Sequence, residues 1–314
     1  MPVTVGMSMS GLTLSIRPEA AMVEQVIAKA GVLIEALPYI QRFRGESIVV
    51  KFGGSAMEEQ AHHDSILADV AFMEVVGMRP VVVHGGGKAI SRRLKSSGIE
   101  PRFIDGLRVT DGQTVAVVED VLTNEVNPRI VAELEQNGAQ ARLIRGTDVF
   151  RVRKRVETDA ETGVQTDWGF VGQVTDVDVS PIVQCFEEDV IPVVTPVGAD
   201  DAGQSYNINA DLAAVAVAKA LKARKLAFLS DIPGLLHDLA DPDSLISTVS
   251  ISDVASLIER GVIAGGMLPK VASGVEALEA GVRKIHIIDG RLSHSLLLEI
   301  FTDEGIGTEI VHDK

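Results

Sequence analysis

Short apolar runs alternate with longer amphipathic stretches along most of this chain. The apolar runs are rich in Val and Ile, as is typical of buried parallel strands. They are Ile48–Lys51, Pro80–His84, Ala141–Arg145, Val190–Thr195, Lys225–Ser230 and Lys284–Ile288. The amphipathic stretches, which predict helices, are 62–77, 87–98, 113–137, 208–222, 251–262, 267–281 and 292–302. This alternation predicts an α/β fold with a mostly parallel sheet between two helical layers, and ligands at the carboxyl ends of the strands.

One region departs from this alternation. Val149–Asp178 alternates apolar and polar residues with a period of two, broken by turn residues and by Gly169 and Gly172. That pattern predicts a β-hairpin or meander at the edge of the sheet. No internal repeat and no linker rich in Pro, Gly or Ser divides the chain. We therefore expect two closely packed halves that meet near residue 200.

A separate amphipathic stretch, 19–45, precedes the first predicted strand. Its apolar residues recur every three or four positions, which predicts one apolar stripe on a helix. The stripe consists of Met22, Val26, Ala30, Leu33, Leu37 and Ile40. Pro38 should kink this helix near its end, because its ring clashes with the preceding turn. The stripe must be buried on its own domain or on another subunit, and the sequence favours neither.

Composition narrows the classes of function. The chain has 314 residues, of which 46% are hydrophobic but only 4% are aromatic, so aliphatic side chains must form most of the core. The net charge of −15 disfavours nucleic-acid binding. A local cluster of lysines could still bind a phosphorylated small molecule.

The sequence also bears on the compartment. Cys185 is the single cysteine and lies in an apolar-rich stretch, so we expect a buried thiol. No intrachain disulfide can form, which fits a reducing, cytoplasmic environment. There is no run of about 18 apolar residues, so no membrane span is predicted. Residues 1–18 lack the charged and apolar segments of a secretory signal and carry little basic charge for a transit peptide, which favours a flexible tail.

Two glycine clusters follow two of the predicted strands. Gly53 and Gly54 come after "IVVKF", and "HGGGKAIS" (His84–Ser91) comes after "RPVVV". Consecutive glycines let the backbone approach a ligand and aim several N–H groups at one anion, and a helix that begins there adds its positive end. Val82 and Ala89 exclude the P-loop motif, and the Rossmann glycine pattern also fails. A tight turn is the alternative for each cluster.

Two lysines could act on an anion held by these glycines. Lys51 ends an apolar strand, so its ammonium group must be buried, reach solvent or meet an anion at the strand's carboxyl end. In "AGGMLPK" (Ala264–Lys270), Gly265 and Gly266 precede a helix that carries Lys270. Two lysines that reach one point could clamp a transferring phosphoryl group. A solvated lysine at a helix start is the alternative for Lys270.

Polar residues gather at three further places. "SYNINADLAAVAVAKAL" places Asn207, Asn209 and Asp211 where a helix begins. One of them would cap that helix, but capping does not need three, so Asp211 could hold two lysines through charge-assisted hydrogen bonds. In "IDGLRVTDG", Arg108 could bind a carboxylate through two parallel hydrogen bonds or form a structural ion pair. In "LSDIPGLLHD", Asp231 could line a nucleotide site or belong to a plain turn.

Together these motifs resemble the amino acid kinase family. "VVKFGGSAM", "VVHGGGKAIS", "DGLRVTD", "NINADLAA", "LSDIPGLL" and "GGMLPK" occur in the family's order, from about residue 47 to the end of the chain. The resemblance implies an open three-layer αβα sandwich, with an acylated amino acid bound by residues 46–200 and ATP bound by residues 201–314. The match is greatest with members that phosphorylate the γ-carboxylate of N-acetyl-L-glutamate, a step of arginine biosynthesis.

The resemblance also implies a role for each motif residue. Lys51 and Lys270 would stabilise the transferring phosphoryl group, and Asp211 would orient both lysines. The substrate would be bound by Gly86, Gly87, Arg108 and Asn207, and the phosphates and ATP by Gly53, Gly54, Asp231 and Gly266. The nucleotide would carry Mg²⁺, because the sequence offers no cage of protein carboxylates for the metal.

A regulatory role follows from the same resemblance. The N-terminal helix is similar to that of arginine-inhibited family members, which are homo-hexamers (trimers of dimers) whose helices interlace between dimers. Their arginine site resembles Lys284–Ile310, and the residues implied are Tyr39, His286, Glu299 and Gly305. A nitrogen-signalling PII protein binds some relatives and is a further candidate partner.

Two other functions stay open. One is another kinase of the same fold that acts on aspartate, glutamate, carbamate or UMP, since kinship of fold does not settle the substrate. The other is a non-catalytic amino-acid sensor. The joint presence of Lys51, Asp211 and Lys270 argues against the sensor.

Overall fold

The computed structural model of the chain is built around one eight-stranded sheet. It describes residues 20–53, 59–104, 106–158, 163, 165–238, 240–302 and 305–313. The tail expected at residues 1–18 lies outside the described residues, and so does Gly54.

The helices and strands agree with the predicted alternation. The main sheet contains β1 (Ser47–Phe52), β2 (Arg79–His84), β5 (Ala141–Ile144), β8 (Ile191–Val194), β11 (Lys225–Ser230), β12 (Thr248–Ser250), β13 (Lys284–Asp289) and β14 (Thr308–Val311). The other strands are β3 (Phe103–Ile104), β4 (Leu107–Arg108), β6 (Phe150–Thr158), β7 (Gln165–Val177), β9 (Val197–Ala199) and β10 (Ser205–Asn207). The helices are α1 (Ala20–Phe43), α2 (Gln60–Val75), α3 (Gly87–Ser96), α4 (Gly112–Val121), α5 (Asn127–Gln136), α6 (Ser180–Glu187), α7 (Ala210–Leu221), α8 (Ile251–Glu259), α9 (Met267–Glu279) and α10 (Ser295–Ile300).

The sheet places β1 near its centre. The strand order is β12-β14-β13-β11-β1-β2-β8-β5, and every neighbouring pair is parallel except β13 and β14. The six predicted strands are confirmed to within a residue or two, while the short strands β12 and β14 were not predicted. Since β1 lies between β2 and β11, the carboxyl ends of these three strands meet at one edge.

Apolar side chains cover both faces of this sheet. Along β1, Val49 belongs to one core cluster, which includes residues of α6, α7 and α9. Its neighbours Ile48 and Val50 belong to the other, which includes residues of α2, α3, α5 and α10. Successive strand residues point to opposite faces, so a strand covered on both sides is apolar at every position. The three-layer α/β/α fold predicted from the sequence is confirmed.

One predicted helix has an internal irregularity. The stretch 113–137 forms α4 and α5, which are joined by a π-helical turn at Leu122–Val126. The turn brings Leu122 against Gly86 of the "HGGGKAIS" motif. A Cβ on Gly86 would lie 2.5 Å from the Leu122 side chain. Glycine is therefore the residue that fits at position 86.

The hairpin was predicted correctly, but its place in the fold was wrong. β6 and β7 pair antiparallel as expected, yet they form a small closed barrel with β9 and β10 instead of an edge of the main sheet. The reason is that β9 and β10, which are three residues each, supply the backbone partners. Close packing in this barrel requires glycine, because a Cβ on Gly198 would lie 2.5 Å from Val152.

The N-terminal helix α1 extends to Phe43 with Pro38 inside it, and the kink at Pro38 stays a prediction. Its apolar side chains are largely uncovered: Val26 is 60% exposed and Leu33 66%. Near its end the helix contacts the core, where Phe43 is buried and the Tyr39 ring lies 6.3 Å from that of Phe301. The described side chains of the stripe are thus not all packed on their own domain, which was one of the two alternatives.

Candidate active site

The two predicted lysines meet at the carboxyl edge of the sheet. Lys51 lies near the end of β1, and Lys270 lies in the first turns of α9. Both approach the carboxylate of Asp211: Lys51 Nζ is 2.9 Å from Oδ1, and Lys270 Nζ donates to Oδ2 at 2.7 Å. The Lys270 ammonium also lies 4.8 Å from the centre of the Phe228 ring, a cation–π contact. The sequence pattern alone could not show that these residues share one point.

The local charge balance keeps this carboxylate ionised. Burial opposes ionisation of Asp211, but the attraction of Lys51 and Lys270 prevails and lowers its pKa to about 2. Burial lowers the pKa of Lys270, although Asp211 partly compensates. The bridge of Lys51, Asp211 and Lys270, here called the lysine bridge, therefore carries net positive charge at the edge of the sheet.

The polar residues at the start of α7 have different hydrogen-bond partners. Asn209 is the helix N-cap, and its Oδ1 accepts from the N–H groups of Asp211 and Leu212. This leaves the Asp211 side chain free for the lysines. Asn207 points the other way and donates to Thr110 Oγ1 at 3.4 Å.

The two glycine turns lie against each other next to the lysine bridge. A Cβ on Gly53 would be 3.3 Å from Gly85 N and from Lys51 Nζ, and the Gly85 N–H donates to Phe52 O at 2.7 Å. Gly86 caps α3, whose first residue is Gly87. Backbone thus approaches backbone closely, and a Cβ at position 53 would be in tight contact with its neighbours.

Arg108 is a buried cation with an unused group. Its Nη2 donates to Gly87 O and to Ser91 Oγ, both at 2.9 Å, and its guanidinium lies 4.7 Å from the centre of the Phe103 ring. Its Nη1 is buried and has no hydrogen-bond partner among the described residues. Burial lowers the pKa of Arg108. A carboxylate is the acceptor that such a group lacks.

Two adjoining cavities, of about 790 and 150 Å³, lie at this site, and neither Asp211 nor Lys270 is among their described lining residues. Both are lined by Gly85, Gly86, Gly87, Phe103 and Arg108. The larger cavity also reaches Lys51 and Asp231, and the smaller one reaches Asn207. Gly266 immediately precedes α9 and is not among the described lining residues of either cavity.

Sequence reasoning missed several residues of this site. Phe103 was not singled out, because an aromatic residue in a two-residue strand gives no pattern. Ser91 and Thr110 were visible in the motifs "HGGGKAIS" and "GLRVTD", and a hydroxyl beside a candidate arginine was the available signal. Arg129 on α5, which also lines the larger cavity, gave no signal.

A cavity of about 310 Å³ away from the candidate active site, here called the second cavity, is lined by the four residues of the expected arginine site, Tyr39, His286, Glu299 and Gly305. Glu299 Oε1 lies 2.6 Å from His286 Nδ1. Its Oε2 accepts from the Ile306 and Gly307 N–H groups, at 2.8 and 2.9 Å. Burial raises the pKa of Glu299, but these hydrogen bonds outweigh that effect and lower it.

This second cavity is strongly polar. Gly305 has a positive φ of 64°, and a Cβ there would lie 2.8 Å from Glu299 Oε2, so glycine is required. Lys225 and Lys284 also line the cavity, and burial lowers the pKa of Lys225 to about 8. Since Tyr39 belongs to α1, the N-terminal helix forms part of this cavity.

Two kinds of feature are absent from the described part of the chain. Within it, no three or more His, Cys, Asp or Glu side chains are grouped so that they could hold a metal ion. None of the described helices combines the length and the apolar character needed to cross a membrane.

Two curated proteins are similar to this chain over most of its length. Acetylglutamate kinase from Heliobacterium modesticaldum is 49% identical over 292 residues, which are 91% of this chain and 99% of that protein. Acetylglutamate kinase from Symbiobacterium thermophilum is 46% identical over 292 residues, 92% of this chain and 100% of that protein.

Solved structures share the fold. N-acetylglutamate synthase from Neisseria gonorrhoeae, complexed with coenzyme A and N-acetyl-glutamate, superposes with a TM-score of 0.77 at 28% identity, over 91% of this chain and 64% of that one. Carbamate kinase from Giardia lamblia, bound to AMP-PNP, gives a TM-score of 0.60 at 18% identity, over 86% of this chain and 99% of that one, and so supports the fold alone. The sequence model of the amino acid kinase family matches residues 46–289, and this chain belongs to that family.

Proposed function

We propose that this chain transfers the γ-phosphoryl group of ATP to the γ-carboxylate of N-acetyl-L-glutamate, the activity for which its curated relatives are named. The observation that carries the proposal is the lysine bridge, which lies beside two glycine turns and whose Lys51 lines the same cavity as Arg108. Such an arrangement suits a reaction in which one anion attacks another.

The reaction needs no general base. A γ-carboxylate with an ordinary pKa of about 4.3 is already ionised at pH 7. One of its oxygens attacks the γ-phosphorus, the bond from that phosphorus to the β,γ-bridging oxygen breaks, and ADP leaves with the bonding electrons. The product is N-acetyl-L-glutamyl 5-phosphate. The barrier comes from bringing two anions together, and Lys51 and Lys270 would offset that repulsion.

Substrate and nucleotide would bind on opposite sides of the lysine bridge. Arg108 and Asn207 would hold the α-carboxylate end of the acyl amino acid, with backbone contacts from Gly86 and Gly87, so residues 46–200 form the substrate half. Residues 201–314 would form the nucleotide half.

The nucleotide half would use residues at the same edge of the sheet. Asp231 would contact ATP in the larger cavity, Gly266 would do so from the start of α9, and Gly53 with Gly54 would approach its phosphates. Mg²⁺ would enter on the nucleotide, because the Asp211 carboxylate is engaged by both lysines.

The decisive assay traps the acyl phosphate with hydroxylamine. Purified chain and MgATP are incubated with N-acetyl-L-glutamate, glutamate or aspartate, and ADP release is followed with carbamate or UMP as acceptor. We expect turnover mainly with N-acetyl-L-glutamate, and K270A as a control should abolish it. Turnover mainly with another acceptor would show that N-acetyl-L-glutamate is not the substrate. No turnover with any acceptor, together with arginine binding, would favour a non-catalytic sensor.

A regulatory function is favoured by the second cavity. We propose that free arginine binds there as a feedback inhibitor, with its guanidinium at Glu299, in a homo-hexamer whose assembly covers the exposed face of α1. The enzyme would act in the cytoplasm, and a PII protein stays a predicted partner. Inhibition by arginine and the mass of the assembly, measured by light scattering with and without residues 1–44, test this. An assembly unchanged by the truncation would contradict the role of α1.

A further inference from the structure

A fully buried histidine, His84, ends β2 directly before the second glycine turn. Its ring makes two polar contacts. Nδ1 lies 2.7 Å from the carbonyl oxygen of Gly85, and Nε2 lies 3.0 Å from Nδ2 of Asn127, the first residue of α5. Neither His84 nor Asn127 lines the cavities of the candidate active site, so no role for them follows from the reaction alone.

The surroundings fix which nitrogen of His84 carries the proton. The Asn127 amide also donates to Val193 O at 2.8 Å, which identifies its nitrogen side. An amide nitrogen can only donate a hydrogen bond. Nε2 of His84 must therefore accept, and Nδ1 must carry the proton. The Gly85 carbonyl oxygen can only accept, which independently requires a protonated Nδ1. Burial lowers the pKa of His84 to about 4, so the ring stays neutral near pH 7.

This tautomer fixes one peptide group of the glycine turn. The Gly85 carbonyl and the Gly86 N–H belong to the same peptide unit, and no described peptide bond is cis. In a planar trans peptide these two groups point in opposite directions. Because the carbonyl points towards the buried imidazole, the Gly86 N–H points away from it, and Gly86 lines both cavities. The Gly86 N–H has no acceptor among the described residues.

We propose that His84 is a positioning residue: its Nδ1–H holds the Gly85 carbonyl inward, so that the Gly86 N–H is aimed at the reacting anion in the cavity, and Asn127 selects the tautomer that allows this. The proposal rests on the phosphoryl transfer proposed above. Without the contact from His84, the Gly85–Gly86 peptide could rotate, and the Gly86 N–H would no longer point at the reacting anion. A backbone donor that is fixed before the reaction stabilises the developing charge without any reorganisation.

A matched pair of substitutions separates positioning from support of the core. In His84→Asn, the amide nitrogen takes the place of Nδ1 and can still donate to Gly85, but the contact with Asn127 is lost. In His84→Gln, the amide reaches the place of Nε2 and can keep the contact with Asn127, but the donor to Gly85 is lost. We expect kcat of His84→Asn to stay within about fivefold of wild type and kcat of His84→Gln to fall about tenfold to a hundredfold, with KM for both substrates little changed.

Stability should follow the opposite order, with His84→Gln at least as resistant to urea as His84→Asn. If kcat instead falls in step with stability, or if both variants lose activity equally, His84 only supports the core and the proposal is overturned. Equal kcat in His84→Gln and wild type would overturn it as well.

A measurement on the wild-type chain keeps the inference testable whatever the variants do. Magic-angle-spinning ¹⁵N NMR of histidine-labelled protein, with the His84→Asn sample used for assignment, should show a protonated Nδ1 and a bare Nε2 at neutral pH. A protonated Nε2 would overturn the proposal even in an active enzyme. Absence of turnover with every acceptor would instead count against the proposed reaction, while the tautomer would still be read directly.

Discussion

The lysine bridge leads to a prediction about both stability and rate. Substitution Asp211→Asn keeps the size of the side chain and resembles the protonated acid. Folding lowers the pKa of Asp211 from an ordinary 3.8 to about 2, which corresponds to roughly 2–3 kcal/mol in favour of the ionised, folded form. A carboxyl group whose pKa is lowered by folding contributes this stability above its unfolded pKa and loses it as the pH falls through about 2.

Asp211→Asn should therefore lower the free energy of unfolding by roughly 2–3 kcal/mol at pH 7, and the difference from wild type should shrink as the pH falls below 4. Because both lysines lose their common partner, kcat should fall by about a hundredfold or more. Urea titrations at pH 7 and near pH 3 measure the stability, and the hydroxylamine assay measures kcat.

A surface ion pair provides the matched control. Lys154 and Asp167 lie 2.7 Å apart, as closely as Lys270 and Asp211, but both side chains are about half exposed. Solvent screens such a pair, so Asp167→Asn should change neither stability nor kcat measurably. Equal losses from Asp167→Asn and Asp211→Asn, or a wild-type kcat in Asp211→Asn, would refute the assigned role of the bridge.

Three further predictions follow from other contacts. Arg108→Lys should raise KM for N-acetyl-L-glutamate by about tenfold to a hundredfold with a smaller change in kcat, because one ammonium cannot replace the fork; steady-state kinetics would contradict this if kcat alone fell. Burial lowers the pKa of His63 and of His84 from 6.5 to about 4, so the unfolded chain binds more protons between these values. The free energy of unfolding should then fall by up to about 3 kcal/mol per histidine from pH 6.5 to 4, and a flat urea midpoint over that range would exclude this. Glu299→Gln should weaken inhibition by arginine, measured relative to each variant's uninhibited rate, and an unchanged inhibition curve would place the guanidinium elsewhere.

The main sheet could be predicted because local pattern determines it. Strands buried on both faces are apolar at every position, and β1, β2, β11 and β13 stand out in the sequence for that reason. The short strands β12 and β14 of the sheet and β9 and β10 of the barrel do not, because three or four residues carry no period. The hairpin β6–β7 shows the limit most clearly: its pairing was visible, but its partners β9 and β10 were not.

The residue types of the candidate site follow from local patterns, and the bridge of Asp211 to two lysines was a hypothesis that the family resemblance also implied. A lysine at the end of an apolar strand is unusual, and Lys51 attracted attention for that reason. Its meeting with Lys270 depends on the crossover that brings α9 to the same edge, which no local pattern contains. For Asn207, Asn209 and Asp211, the sequence predicted one helix cap and Asp211 as the partner of the lysines, and the structure shows that Asn209 is the cap and that Asn207 contacts Thr110.

The neighbouring positions of β1 and β11 also limit how the molecule can move and be divided. The strands that precede residue 200 occupy one side of the sheet, those that follow it occupy the other, and the two sides are joined by the backbone hydrogen bonds between Ser47–Phe52 and Lys225–Ser230. Movement of one side of the sheet relative to the other would then change the twist of a continuous sheet. Separate expression of either side would leave an apolar parallel strand with an unpaired edge, so each fragment alone should aggregate, and co-expression should restore soluble material.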